Sequence, residues 1–361
     1  SGLTFRSLSA NGAANGIVLN NTGATAGLTV TGTGGAGTGG TIQNTSGDAV
    51  SLTGTLNPSF TNLTIQNSGG SGVQGTMVTN FTFVNGSISN SGTALGVDDS
   101  NIAFNASATG MESNVSGTVT ITGNSLTNAF YHGVDLQNFS GTLSNVTISG
   151  NTILGSDAAG SRGIRIAGQV VSTIITNNDV RHVERGFSGE TTNGHGPSGI
   201  QAHFNNFVDN AGGFVWDQAA AFDAENNWWG RNAGPGGSGC DAINGAGAAN
   251  VDFNPWMVLQ GSASPNSILP LGMSTVTADM THNSDGVVPA GTLPNQPVSW
   301  SATNGNMSPT SGTITAGTAT STFTSTNNNS AVVTITVENQ SVQVPILVQT
   351  QDLTAVKTNT V

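Results

Sequence analysis

The chain has 361 residues, 35% of them hydrophobic and only 7% charged, with 7 Lys plus Arg against 19 Asp plus Glu and a formal net charge of −12. An acidic balance without basic patches excludes nucleic acid and anionic membrane as partners, and no apolar run approaches the ~18 residues of a membrane span, which excludes direct membrane insertion. A single cysteine, Cys240, excludes an intramolecular disulfide framework and is read as a small buried residue or an intermolecular link.

The opening "SGLTFRSLSANG" is already strand-like and has no signal peptide, so the chain reads as a piece of a longer exported polypeptide. Gly and β-branched residues are dense over the first 260 residues and no 3.6-residue period persists, which argues against helix. The Gly-rich "TGTGGAGTGG" from Thr31 reads as a flexible bulge. What recurs is a short alternating strand introduced by a small residue, as in "GDAVSLTG", "GSGVQGTM", "SRGIRIAG" and "AGGFVWDQ". Aligning Val50, Val73, Leu95, Val134, Ile164, Phe187 and Phe214 gives gaps of 23, 22, 39, 30, 23 and 27 residues. The gap of 39 predicts one extra turn around "SATGMESN".

A second series, including "LTIQNS", "VTITGNSL", "VTISGNTI", "TIITNNDV" and "FDAENNWW", interleaves with the first. Its asparagines are Asn124, Asn151, Asn178, Asn206 and Asn227, spaced 27, 27, 28 and 21. Two strand series sharing one period predict a solenoid in which each turn adds a strand to each of several parallel sheets. Apolar side chains then stack inward, and Thr, Ser, Asn and Gln face outward. Asn tolerates the left-handed backbone of a tight bend, and its amide can bond the equivalent Asn one turn away. This pattern resembles the single-stranded parallel β-helix of the pectate-lyase-like superfamily, and the resemblance alone implies a right-handed coil. A left-handed hexapeptide helix is disfavoured, because the period is not a multiple of about six.

At the end of this region "ENNWWG" places Trp228 or Trp229 where Ile153, Val180 and Phe207 sit in earlier turns. An open solenoid end exposes apolar stacks and strand edges. The tryptophans are therefore read as a cap, with Phe253 and Trp256 of "VDFNPWM" folding back over the last turn. The alternative is a pair of sugar-stacking tryptophans. The solenoid is bounded at residues 1–262.

From "SPNSILPLGM" the repeat stops, and short alternating strands with turn signals every 8–12 residues predict a β-sandwich over residues 263–350. The residues Asp279, Pro297, Val298, Trp300, Gly305, Gly317, Ala319 and the run Val332 to Val337 resemble the bacterial Ig-like repeats of invasin and intimin type. The resemblance implies a spacer module with Trp300 as its core aromatic. Residues 351–361 read as a linker or the first strand of a further domain. The expected fold class is thus all-β, a right-handed single-stranded parallel β-helix followed by an Ig-like β-sandwich.

Ionisable residues cluster between Asp157 and Arg231. Flank clefts of β-helices of the superfamily resembled here carry polysaccharide lyases and glycosidases, so Asp135, Arg165, Arg181, His182, Glu184, Asp217 and Asp223 are the candidate catalytic residues of a carbohydrate-active enzyme. Alternation puts Asp135 and Arg165 outward on matching strands. The rest of that column reads Ser51, Gln74, Gly96, Ser188 and Val215, with no second carboxylate. Fragments "DD" at Asp98–Asp99, "GHG" at Gly194–Gly196 and "RI" at Arg165–Ile166 echo polygalacturonase motifs, but in the wrong order and without the Lys. His182, His195 and His203 lack a close metal-ligand spacing, and no phosphate-binding glycine loop or nucleophile elbow occurs. No metal and no cofactor is expected. The favoured reading is a non-enzymatic, stiff segment of a bacterial cell-surface or secreted protein, acting in adhesion or an extracellular fibre. Its expected partners are carbohydrate, a host or neighbouring-cell surface, or copies of itself.

Overall fold

The computed structural model describes residues 2–23, 26–92, 99–106 and 110–349. Leu95, Gly96 and Asp98, and the segment 351–361, lie outside the described residues. Among the described residues the protein is all-β apart from one 3-10 turn at Ala248–Asn250. It divides into two compact units, Ser1–Trp256 and Met257–Val361.

The first unit is a parallel β-helix with three walls. Each turn adds one strand to each wall, and the strand pairings between turns are parallel, with register breaks only near Asn138–Leu143 and Thr79–Phe81 among the described residues. In the first wall one inward column runs Ile17, Val50, Val73, Ile102, Val134, Ile164, Phe187, Phe214 and Ile243, one residue per turn. In the second wall, Val30, Phe60, Phe83, Ile121, Ile148, Ile175 and Ala202 stack in the same way. The third-wall column is Ile42, Ile65, Ile88, Leu126, Ile153, Val180 and Phe207. Nearly all of these side chains are fully buried in one continuous core. Period-2 alternation of β-branched and aromatic residues explains this, because each strand can bury one face only. The strand Arg162–Thr176 is long enough to pass from the first wall into the second.

The first-wall column corrects one expectation. Ile102 holds the place expected of Leu95, pairing with both Val73 and Val134. The spacings around it are 29 and 32 residues, so no extra turn is present. Of "SATGMESN", Ser107, Ala108 and Thr109 lie outside the described residues, and Gly110 to Asn114 lead into the strand Val115–Thr122.

Between the second and third walls lies a buried asparagine ladder. Asn124 Nδ2 donates to Asn151 Oδ1 at 2.9 Å, Asn151 to Asn178 at 2.9 Å, Asn178 to Asn205 at 2.9 Å, and Asn205 to Asn227 at 3.0 Å. Each Oδ1 also accepts the backbone N–H of the preceding ladder residue. Each amide further reaches a backbone carbonyl, such as Ile148 O from Asn178. The ladder satisfies donors that would each cost about 1–3 kcal/mol if buried unmade. It runs through Asn205 and not Asn206, which begins the next strand and donates to Asp179 at 3.2 Å. The bend's left-handed residue also differs from expectation. It is the residue before each ladder Asn: Gly123, Gly150, Asn177, Phe204 and Asn226. A second, exposed ladder links Asn11, Asn44, Asn67, Asn90 and Asn128, and four of its members are themselves left-handed.

Trp229 ends the third-wall stack. Its ring lies 5.6 Å from Phe207 and 5.8 Å from Phe214, and it is fully buried. Trp228, also fully buried, pairs with Asn206. The first and second walls continue one step further, through Ile243–Asn244 and Val251–Asp252. Phe253 and Trp256 then pack against the core, and Trp256 Nε1 donates to Asn232 O at 3.0 Å. Gly234 is left-handed and lies so close to the Trp256 ring that a Cβ would collide with it. The soft "GPGG" loop is therefore what lets the chain double back beneath an indole.

The second unit is an Ig-like β-sandwich. One sheet orders the strands Gln260–Ser264, Met273–Asp279, Thr318–Ser325 and Gly305–Ser308, all antiparallel. The other orders Ser267–Ile268, Gln340–Val348, Ala331–Val337, Gln296–Ala302 and Ser311–Ile314. Trp300 is buried and pairs with Ile335, and Gly317 takes the left-handed position of the turn between Thr315 and Thr318.

Candidate functional site

The outward column beside the first-wall core runs Ser51, Gln74, Ala103, Asp135, Arg165, Ser188 and Val215. Asp135 and Arg165 are direct cross-turn partners, and Arg165 Nη1 lies 3.2 Å from Asp135 Oδ2. Arg165 Nε lies 2.9 Å from Glu190 Oε2, so one guanidinium bridges two carboxylates. Glu190 also receives Arg162 Nε at 2.7 Å, Arg185 Nη1 at 3.7 Å and the Ser188 hydroxyl at 2.6 Å. A polar chain continues along the wall: Asn105 donates to Asp135 at 2.9 Å, and Gln74 donates to Asn105 at 3.1 Å. Gln137 accepts from Arg165 and donates to Thr192. Loops fold over this face, since Asn193 Nδ2 reaches Phe139 O at 3.1 Å and also Gly110 O.

The electrostatics follow from burial. Asp135 has no exposed surface, and desolvation lifts its carboxyl above the usual range against the pull of Arg165 and Asn105. Burial works in the same direction on Glu190. There Arg165, Ser188 and Arg162 together prevail and hold it at about 2. The two carboxylates on one guanidinium therefore shift oppositely. Glu190 keeps partial solvent contact and has more cationic and hydroxyl partners, whereas Asp135 has neither advantage. Among the described residues the column itself holds no second carboxylate, as expected; the second one, Glu190, comes from beside it. It lies two residues along the neighbouring strand, opposite Ala167, and within reach of a long Arg side chain.

The remaining candidates are not brought to this centre. Arg181 pairs with Asp179 at 2.6 Å on the third wall, and His182 with Asp157 at 3.3 Å on an exposed bend. Glu184 meets Arg185 at 3.4 Å and accepts the Gly160 N–H at 2.5 Å. Asp217 accepts the Ala246 N–H at 3.0 Å. Asp223 meets His203 at 3.1 Å on the second wall. Of the seven, Asp135 and Arg165 share a site directly, and Glu184 touches its edge through Arg185, which also faces Glu190. Glu190, Arg162 and Asn105 complete it. Among the described residues no group of three or more His, Cys, Asp or Glu side chains is placed to hold a metal ion.

No protein-family model and no curated protein matches the chain. Three solved structures show slight likeness. The D0-D1 domain of intimin is 19% identical over 27% of this chain and 49% of its own, about half its length, with a TM-score of 0.22. The tailspike protein gp49 from Pseudomonas phage LKA1 is 13% identical over 93% of this chain and 67% of its own, with a TM-score of 0.33. The Dettilon tailspike protein gp208 is 12% identical over 96% of this chain and 84% of its own, with a TM-score of 0.31. Likenesses this slight carry no conclusion, and the fold rests on the strand pairing itself.

Proposed function

We propose that this chain is a non-enzymatic structural and adhesive segment of a bacterial cell-surface or secreted protein, in which the β-helix serves as a stiff rod and the Ig-like unit as a spacer. The observation that carries the reading is how the ionisable cluster is spent. Arg165 is held between a fully buried Asp135 and an ion-paired Glu190, and the other candidate acids and bases pair locally. A general acid or base needs a proton-transfer position open to substrate. Here the groups occupy one another. The rod follows from stacking: nine turns at a strand spacing of ~4.8 Å extend the core for about 40 Å, with each inner turn paired to the turn on either side.

A carbohydrate-active enzyme is the second reading, and one observation favours it. Asp135 and Glu190 flank a single guanidinium on an outward face, as a pair of carboxylates flanks a glycosidic bond. The two readings separate on incubation with a panel of soluble polysaccharides. We expect no release of reducing or unsaturated sugars. Release that disappears in Glu190→Gln would overturn the scaffold in favour of the enzyme.

A further inference from the structure

On the second wall a groove of about 460 Å³ runs along the solenoid axis, across four successive turns. It is made by a repeated backbone kink. Asn145, Ser172 and Gly199, one per turn, are all left-handed, with φ of 64°, 54° and 61°. The banks are two rows: Thr118, Asn145, Ser172 and Gly199, each just before the inward column Val119, Val146, Thr173 and Ile200, and Thr147, Ile174 and Gln201 just after it.

The lining carries no charge. Its side chains are hydroxyls, amides and two aliphatics, Val146 buried in the floor and Ile174 exposed. Thr118, Ser172 and Gln201 are exposed and Thr147 half-buried, and among the described residues their hydroxyls and amide have no side-chain partner, in contrast to the first wall, where polar groups satisfy one another. Ile174 is 49% exposed and stands in the column Thr120, Thr147, Ile174, Gln201, so an aliphatic patch interrupts a run of hydroxyls in mid-groove. Asp223 follows Gln201 one turn further on, so negative charge begins only where the groove ends.

We infer that this groove binds an uncharged glycan chain lying parallel to the solenoid axis, which deepens the adhesive reading above and rests on it. Unspent hydroxyls and amides on both banks supply donors and acceptors for sugar hydroxyls, and Ile174 supplies apolar contact for a ring face. A nucleic acid or a uronic-acid polymer needs cations, which the lining lacks. A peptide docks on an open strand edge or in an apolar pocket. This groove is neither, since its strands are paired on both sides.

The test is native affinity electrophoresis of the full chain in gels containing dextran, mannan, galactomannan or xyloglucan, with alginate and polygalacturonate as acidic comparisons. We expect at least one neutral polymer to retard the protein, and neither acidic one to do so. Ile174→Asp and Gln201→Ala each weaken the retardation tenfold or more. Thr82→Asp, on the same wall outside the groove, leaves it unchanged. Thr147→Ala replaces Ile174→Asp if that variant has a lowered Tm. Retardation by no neutral polymer, by the acidic polymers only, or with equal loss in Thr82→Asp, overturns the inference. Such a failure leaves the scaffold standing, whereas sugar release sinks the scaffold whatever the groove binds.

Discussion

Asn178 and Thr173 lie five residues apart, both without exposed surface, and have opposite consequences for stability. Asn178 accepts from the backbone and side chain of Asn151 and donates to Ile148 O and Asn205. Asn178→Ala strands several buried groups at once, so we expect a loss of about 3–5 kcal/mol in chemical denaturation, against less than about 1 kcal/mol for Asn206→Ala. Thr173 stands in a column with Val146 and Ile200, and its hydroxyl is buried without a partner. Thr173→Val keeps the shape and removes the unmet hydroxyl, so it should stabilise the protein by about 1 kcal/mol. A destabilised Thr173→Val would mean that the hydroxyl is satisfied after all. The ladder was largely legible in the sequence. The constant spacing of 27 residues from Asn124 through Asn178 leads to Asn205, and the doublet Asn205–Asn206 hid the right choice because both residues suit a bend.

Two carboxyls give two structural elements opposite pH responses. On the first wall, Glu190 is lowered from 4.5 to about 2, so its ion pairs favour the fold above pH 4.5 and are lost as pH falls towards 2. In the last turn, Asp241 accepts from the backbone and side chain of Asn210 at 3.1 and 2.7 Å, and burial raises it from 3.8 to about 6. A raised carboxyl favours the fold while it holds its proton, so that contribution is lost as pH rises from 3.8 through about 6. Each effect is on the order of 2–3 kcal/mol. Denaturant midpoints measured from pH 2 to 8 should flatten at the acid end in Glu190→Gln and between pH 4 and 6 in Asp241→Asn. Unchanged profiles in both variants would count against these assignments. The strands that hold these groups were legible from alternation. The Arg165–Glu190 pair was not, because it joins residues that are offset in register and the length of the Arg side chain spans the offset.

In the β-helix each turn packs only on its neighbours, so protection from exchange should grade along the axis. The strand Leu3–Phe5 is exposed throughout, whereas Val134 and Ile164 lie under full turns on both sides. Native-state hydrogen exchange should find the slowest amides in the central turns and the fastest in Leu3–Phe5. Uniform protection would indicate all-or-none opening of the unit and contradict this picture. The sequence by itself determined the solenoid, most of its inward columns and the sandwich that follows, because burial on a repeating backbone imposes a period that one chain displays directly. Only the tertiary structure decided that Ile102 completes the first-wall column, that Glu190 closes the ion network, and that an uncharged groove crosses the second wall. Those features depend on which residues of different turns meet. Connections between strands vary in length without disturbing the stack, so distance along the chain does not reveal the meeting.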